Sequence, residues 1–190
     1  MVLPIVAYGD PVLKKRADEV KHDDEHLQKL IVDMFDTMYN ASGVGLAAPQ
    51  INKSIRLFIV DGSSFAEDDE PETHYMRDFV HTFINPKIIE EKGTEWGFNE
   101  GCLSIPGIRE EVFRKEEVKI HYFDENFKEH TKTFHGFAAR IIQHEYDHIE
   151  GKLFVEKINP LRRQLLKRRL DEITKGDVDV KYKMRFPKKK

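Results

Sequence analysis

Residues 137–150, FAARIIQHEYDHIE, decide the fold of this chain. Four residues of this stretch recur at intervals of three and four, and they therefore share one face of a helix: Phe137, Ile141, His144 and His148. Gly136 precedes the stretch, and Gly151 after it is a typical helix C-cap. The spacing predicts a helix over 137–150 that carries two histidines on an apolar face.

The same helix contains an HExxH pattern, formed by His144, Glu145 and His148. Residues four apart lie one turn above each other, so both imidazoles can bind the same ion. Glu145 is about 100° from His144 around the helix axis, which lets it lie over the open side of that ion, where a general base acts. A buried helix whose histidines only form hydrogen bonds is the alternative, but two histidines at ligand spacing favour a metal site.

Two histidines do not complete a hydrolytic metal centre, which usually has three protein ligands and one position for water. The long zinc-protease motifs carry a third ligand shortly downstream, and this sequence has none there. Cys102, within EGCLS (100–104), is the only cysteine of the chain. A lone cysteine is often just a small buried hydrophobic residue, whereas a Cys-His-His set would suit Zn²⁺ or Fe²⁺.

A third segment, GVGLAAPQ (43–50), is rich in small residues that let the backbone run close to a ligand or a packed helix. It has neither the GK[ST] ending of a phosphate-binding loop nor the spacing of a dinucleotide fingerprint, which argues against a nucleotide cofactor. Gln50 ends the segment with an amide that could donate to a developing oxyanion.

Length and composition predict one globular catalytic domain over residues 1–190. The net charge is only -3, and a single cysteine excludes a disulfide-stapled secreted scaffold. No apolar run approaches eighteen residues, so no membrane-spanning segment is expected. We therefore expect a cytoplasmic protein, with a monomer as the default state.

The predicted strands lie between helices and do not alternate with them as βαβ units. This order predicts an α+β class with antiparallel or mixed sheets around the HExxH helix, plus a C-terminal helix. Asp23 or Asp24 is the expected N-cap of the first helix. The remaining expected elements are a helix over 24–41, strands over 55–60, 79–89, 117–123 and 127–134, an exposed acidic loop over 61–78, a turn-rich stretch ending at 107, a helix over 159–175 and a flexible basic tail over 176–190.

Taken together, GVGLAAPQ, EGCLS and QHEYDH (143–148) resemble the three signature motifs of the peptide deformylases. That family removes the N-formyl group from the initiator methionine of new bacterial and organellar proteins. YGDPVLKKRA near the start, INP at 84–86 and GKLF at 151–154 are similar as well, so the resemblance spans nearly the whole chain. Ile149 stands where the family usually has leucine, and the acidic loop and basic tail are longer than usual.

The resemblance implies a role for each motif residue. The metal ligands would be Cys102, His144 and His148, and Glu145 would be the acid and base. Gln50 and the backbone N–H of Leu103 would bind the oxyanion, while Gly45 would hydrogen-bond the substrate backbone. Fe²⁺ would be the native metal, with Zn²⁺, Ni²⁺ or Co²⁺ as alternatives.

The substrates implied are N-formyl-methionyl peptides. The apolar stripe of the HExxH helix suggests a pocket for the methionine side chain, formed by Val44, Phe98, Phe137 and Ile141. The basic C-terminal helix could dock on the ribosome, because some deformylases do so, although solubility is the common explanation for such a charge run.

Two other classes compete with this interpretation. An ordinary HExxH metallopeptidase would cleave unformylated peptides, and the missing downstream ligand argues against it. A binding module with a structural metal would normally use four protein ligands, often several cysteines. An inactive relative would be expected to lack Glu145 or Gln50, and both are present.

Overall fold

Five antiparallel strands form the main sheet, in the order in which they follow one another in the chain. The computed structural model describes residues 1–22 and 24–187. Its helices and strands are β1 (Ile5–Val6), α1 (Leu27–Asn40), β2 (Gly45–Ala47), β3 (Leu57–Asp61), β4 (Val80–Cys102), β5 (Ile105–Phe123), β6 (Glu129–His135), α2 (Gly136–Ile149), α3 (Pro160–Lys175) and β7 (Met184–Arg185). β1 and β7 pair in parallel as a separate two-stranded sheet.

Helix α2 packs on the main sheet and agrees with the predicted 137–150 to within one residue at each end. Its apolar side buries alanine and isoleucine side chains among aromatic and branched residues of β3 to β5: Ala138, Ala139, Ile142 and Ile149 against Phe58, Val60, Phe83, Val118 and Ile120. Gly151 follows the helix with φ = 71°, a conformation that favours glycine. The core therefore fixes which side of α2 faces the rest of the molecule.

The long β4–β5 hairpin was not expected from the sequence. The stretch ending at residue 107 was predicted to be rich in turns. It belongs to β4 as far as Cys102, and β5 begins at Ile105. Residues 91–95 are exposed on both faces, so they lack the apolar alternation by which a half-buried strand is recognised. Register shifts, one of them between Lys92 and Glu95, mask the pattern further.

The first helix begins later than predicted, at Leu27, and its N-cap residue His26 makes no side-chain capping bond. Asp24 accepts a hydrogen bond from the His26 N–H instead, so the predicted capping by Asp24 was wrong. Asp23 lies outside the described residues. One face of α1 is a core face, because Ile31, Met34 and other apolar residues of this helix pack on the β2 and β3 side of the sheet.

The acidic segment 61–78 is not a plain exposed loop. It contains two short 3-10 helices, Ser63–Phe65 and Pro71–Met76. Met76 is fully buried in the main core, and Thr73 is buried as well. The many acidic residues hide these inward positions, since the segment has no apolar periodicity.

The C-terminal helix is confirmed, with the Oδ1 atom of Asn159 accepting from the Leu161 N–H and Gly176 ending the helix at φ = 81°. The tail was expected to be flexible, but it returns to the N-terminal segment and forms β7. Residues 188–190, its last part, lie outside the described residues. Within the described chain, every helix is too short or too polar to cross a membrane.

Candidate metal centre and cleft

Three side chains of the predicted metal site come together at the end of β4. Cys102 is the last residue of that strand, and His144 and His148 lie one turn apart on α2. The Cys102 Sγ atom is 3.3 Å from Nε2 of His148, and the ligand atoms of all three residues lie within 4.8 Å of one another. His148 is buried, and the other two are half-buried.

This donor set fits a divalent transition metal. The Nδ1–H group of His144 donates to Oε2 of Glu100 at 2.8 Å, which directs the other ring nitrogen toward Cys102. A carboxylate behind a histidine is the usual partner that orients a metal-binding imidazole. Thiolate and imidazole ligands suit Zn²⁺ and Fe²⁺, and three protein ligands leave a position for water.

Glu100 connects three elements of the site, which are β4, β5 and α2. It accepts from both the Nε and Nη2 groups of Arg114, at 2.6 and 2.9 Å, and from Arg140 at 2.9 Å. Arg114 also binds Asp147 on α2 at 2.7 Å. Burial by itself raises the pKa of Glu100, but the hydrogen bonds from Arg114 and His144 lower it more, so this carboxyl lies well below its usual pKa range. Glu100 is therefore a fixed anion.

The sequence indicated Glu100 only as part of the EGCLS motif, and Arg114 and Arg140 were not predicted to belong to the site. One signal could have found Arg114: it falls in register with Val112 and Val118, on the buried side of the alternating strand β5. Such an arginine needs a buried anion, because buried charges are paired. The highly charged run around it resembles a solvated strand, which hides this signal.

Glu145 lies on the cleft side of α2, against the backbone of Gly45. A Cβ atom on residue 45 would be 2.8 Å from the Glu145 Cδ atom, so glycine provides the room for this carboxyl group. Glu145 is 4% exposed, and its Oε2 atom has no hydrogen-bond partner among the described residues. Burial raises the pKa of Glu145 to about 7, a value suited to a group that exchanges protons near neutral pH.

Gln50 is held so that its amide nitrogen faces the sulfur. Its Oε1 atom accepts from the Ala47 N–H at 2.8 Å. Its Nε2 atom then lies 3.5 Å from the Cys102 Sγ atom and 3.3 Å from the Ser104 Oγ atom. Leu103 and Ser104 form the turn between β4 and β5, so the backbone of Leu103 directly follows Cys102.

Strand β2 is an edge of the main sheet. Val44 accepts a hydrogen bond from the Asp61 N–H, and Gly45 is the next residue, opposite Val60. Because hydrogen-bonded and non-hydrogen-bonded pairs alternate in an antiparallel ladder, the N–H and C=O groups of Gly45 point to the free edge. These groups can pair with an extended peptide.

A cleft of about 970 Å³ surrounds the site. Val44, Phe98 and Ile141 line it, as does Phe65 from the acidic segment. The tail contributes a wall through residues 179–182. Phe137, by contrast, lies behind this lining. The centroid of its ring is 4.8 Å from that of Phe65 and 5.6 Å from that of Phe98.

Comparison with known proteins agrees with this geometry. The family model described as polypeptide deformylase matches residues 2–164. The chain belongs to the polypeptide deformylase family. A peptide deformylase of Christiangramia forsetii is 55% identical to it, covering 100% of this chain and 98% of that protein. One from Cytophaga hutchinsonii is 53% identical, with 100% of both covered.

Solved deformylase structures share the fold. The peptide deformylase of Legionella pneumophila is 40% identical, with a TM-score of 0.78, and the match covers 93% of this chain and 98% of that one. Peptide deformylase 1B of Arabidopsis thaliana, solved in complex with an inhibitor, is 34% identical, with a TM-score of 0.80 and 92% of each chain covered. The resemblance, the α+β class and the assignment as a deformylase are thereby confirmed. The family match ends within α3, so the tail lies beyond it.

Replacement of Glu100 by glutamine tests the buried anion, because it keeps the side-chain shape and removes the charge. We expect Glu100→Gln to lower the free energy of unfolding by about 3 kcal/mol, since two buried guanidinium groups lose their shared carboxylate. The affinity for Zn²⁺ should fall about tenfold or more, because His144 loses its charged acceptor. Urea unfolding and metal titration measure the two effects.

The matched control is Glu95→Gln on the same hairpin. Glu95 is 3.8 Å from Lys115, and both side chains are exposed, so its loss should change the free energy of unfolding by less than about 1 kcal/mol. Equal losses in the two variants would contradict a special role for Glu100.

Proposed function

We propose how this chain removes the N-formyl group from nascent polypeptides: Cys102, His144 and His148 bind one divalent cation, and Glu145 transfers the protons. The observation that carries this proposal is the meeting of the thiol and both imidazoles in front of a buried, unpartnered glutamate oxygen. Fe²⁺ is the proposed native metal, and Zn²⁺, Ni²⁺ or Co²⁺ also suits the donor set. We place the reaction in the cytoplasm.

The cation, when bound, supplies Lewis acidity toward water and the formyl carbonyl. Glu145 takes a proton from the attacking water as its oxygen bonds to the formyl carbon. The amide nitrogen of Gln50 and the backbone N–H of Leu103 then donate to the oxyanion. When the C–N bond breaks, Glu145 passes its proton to the leaving amine, and the products are formate and a free N-terminus.

The free edge of β2 orients the substrate. An extended peptide can pair with the N–H and C=O groups of Gly45 as an added strand, which fixes its direction across the cleft. The first side chain of the peptide then meets the apolar part of the cleft. Val44, Phe98 and Ile141 form this pocket, Phe65 adds to it, and Phe137 supports it from behind.

Loss of the glutamate carboxyl should abolish proton transfer without removing the ligands. We expect Glu145→Ala, purified without oxygen, to release formate from a formyl-Met tripeptide about 10²–10⁴-fold more slowly than the unaltered protein. Its metal content should stay the same, as measured by elemental analysis. Glu125→Ala, at an exposed turn, is the control and should keep full activity.

Two results would contradict this proposal. An unaltered protein that is fully loaded with metal and releases no formate would favour the binding module. Cleavage of unformylated peptides at a comparable rate would favour an ordinary metallopeptidase.

The pocket can be tested through the side chain of the first residue. We expect Ile141→Ala to lower the ratio of kcat/KM for formyl-Met over formyl-Ala peptides about tenfold, because it removes apolar contact with the methionine. Phe137→Ala should lower the ratio less, since Phe137 lies behind the lining. An unchanged ratio in both variants would rule out this pocket.

For the basic C-terminal helix we propose contact with ribosomal RNA phosphates. Arg163 and Lys167 are exposed on α3, and Leu161 and Leu165 are 67% and 65% exposed on the same helix. Arginine and lysine contacts to phosphates release counterions, so such binding weakens with salt. The exposed leucines add apolar surface that has no partner within the described chain.

Charge reversal tests this contact. We expect Arg163→Glu with Lys167→Glu to reduce co-sedimentation with ribosomes at low salt and to flatten its dependence on salt, because about two phosphate contacts are lost. The control is Lys128→Glu with Lys132→Glu, which makes the same change of net charge at exposed sites just before and within β6. Equal effects of the two pairs would mean that the helix charges serve solubility alone.

A further inference from the structure

The turn formed by Leu103 and Ser104 is held from outside its own hairpin. The Tyr8 N–H donates to the Ser104 carbonyl at 2.8 Å. The Gln50 amide donates to the Ser104 hydroxyl at 3.3 Å, and the Tyr182 hydroxyl donates to the Leu103 carbonyl at 2.7 Å. Three separate parts of the chain therefore fix two residues that directly follow Cys102.

Tyr182 reaches this turn from an anchored segment. The Ile5 N–H donates to the Lys183 carbonyl and the Ala7 N–H to the Arg185 carbonyl, each at 2.9 Å. Arg185 also forms an ion pair with Asp10 at 2.8 Å. The tail is thus tied on the C-terminal side of Tyr182, which holds the tyrosine hydroxyl in place over the turn.

Packing constrains Leu103 from its other side. Leu103 and Tyr182 both pack, partly buried, against the same apolar cluster as α1. A Cβ atom on Gly43 would lie 2.8 Å from the Leu103 Cδ1 atom, so the leucine side chain occupies the space that this glycine leaves. With the side chain packed and the carbonyl bonded, the backbone torsions of Leu103 have little freedom.

We propose that Tyr182 is a positioning residue for deformylation, which holds the Leu103 N–H in the direction of the oxyanion through its hydrogen bond to the Leu103 carbonyl. This inference rests on the proposed function, in which that N–H donates to the oxyanion. In this role Tyr182 acts through Leu103, because its hydroxyl is bonded to the Leu103 carbonyl. Its effect is greatest where negative charge develops, so it changes kcat rather than KM.

The test is Tyr182→Phe in the metal-loaded, full-length protein, with formate release measured over a range of formyl-Met tripeptide concentrations. Removing an oxyanion donor costs about 10²–10³ in kcat, and loosening one should cost less, about tenfold, with KM unchanged within about twofold. Tyr39→Phe is the control, since it removes a hydroxyl bonded to Asp61 at 2.7 Å, away from the turn, and should keep the full kcat.

A second measurement does not depend on turnover. In the Zn²⁺-loaded protein, the amide protons of Leu103 and Ser104 should exchange with solvent faster in Tyr182→Phe than in Tyr39→Phe, as followed by NMR. Unchanged exchange, an unchanged kcat or a loss of metal from Tyr182→Phe would each overturn the inference. An unaltered protein that releases no formate would instead overturn the proposed function, so the two failures are distinguishable.

Discussion

Glu100, which is only 4% exposed, binds two arginines and a histidine, and the rest of the site depends on this cluster. Its carboxylate lies on β4, Arg114 on β5, and Arg140 and His144 on α2. Asp147 opposes Arg114 from the same helix. Desolvation makes such a cluster costly, and it persists only when every charge has a partner in good geometry. Any slip of α2 along the hairpin would leave a buried charge unpaired.

That constraint explains how ligands from different elements form one site. Cys102 is two residues beyond Glu100 on the same strand, and His144 is bonded to Glu100 itself. The cluster therefore sets the distance from the thiol to the imidazoles before any ion binds. Preorganisation of this kind lowers the cost of binding a metal, because the ligands need not be brought together by the ion.

The cleft is assembled from core elements and from peripheral segments. Its floor is the helix and the edge strand, which belong to the main core, and its outer wall comes from the acidic segment and the tail. Phe65 and Tyr182 reach the cleft from segments whose sequences look solvated. Their contributions depend on contacts far along the chain, such as the 79 residues that separate Tyr182 from Leu103, and no local pattern reports such contacts.

The sequence by itself determined the helix over 137–150, the metal-binding residue types and the family, because helical spacing and short motifs are local properties. It also indicated that Gln50 and Gly45 belong to the site. The resemblance implied that Cys102 and His148 share a metal, but only the tertiary structure decided that their ligand atoms lie 3.3 Å apart and that Glu100 is the anion bonded to His144. The physical reason is that these contacts follow from strand register and helix packing, which exposed, irregular strands such as β4 do not encode in their hydrophobic pattern.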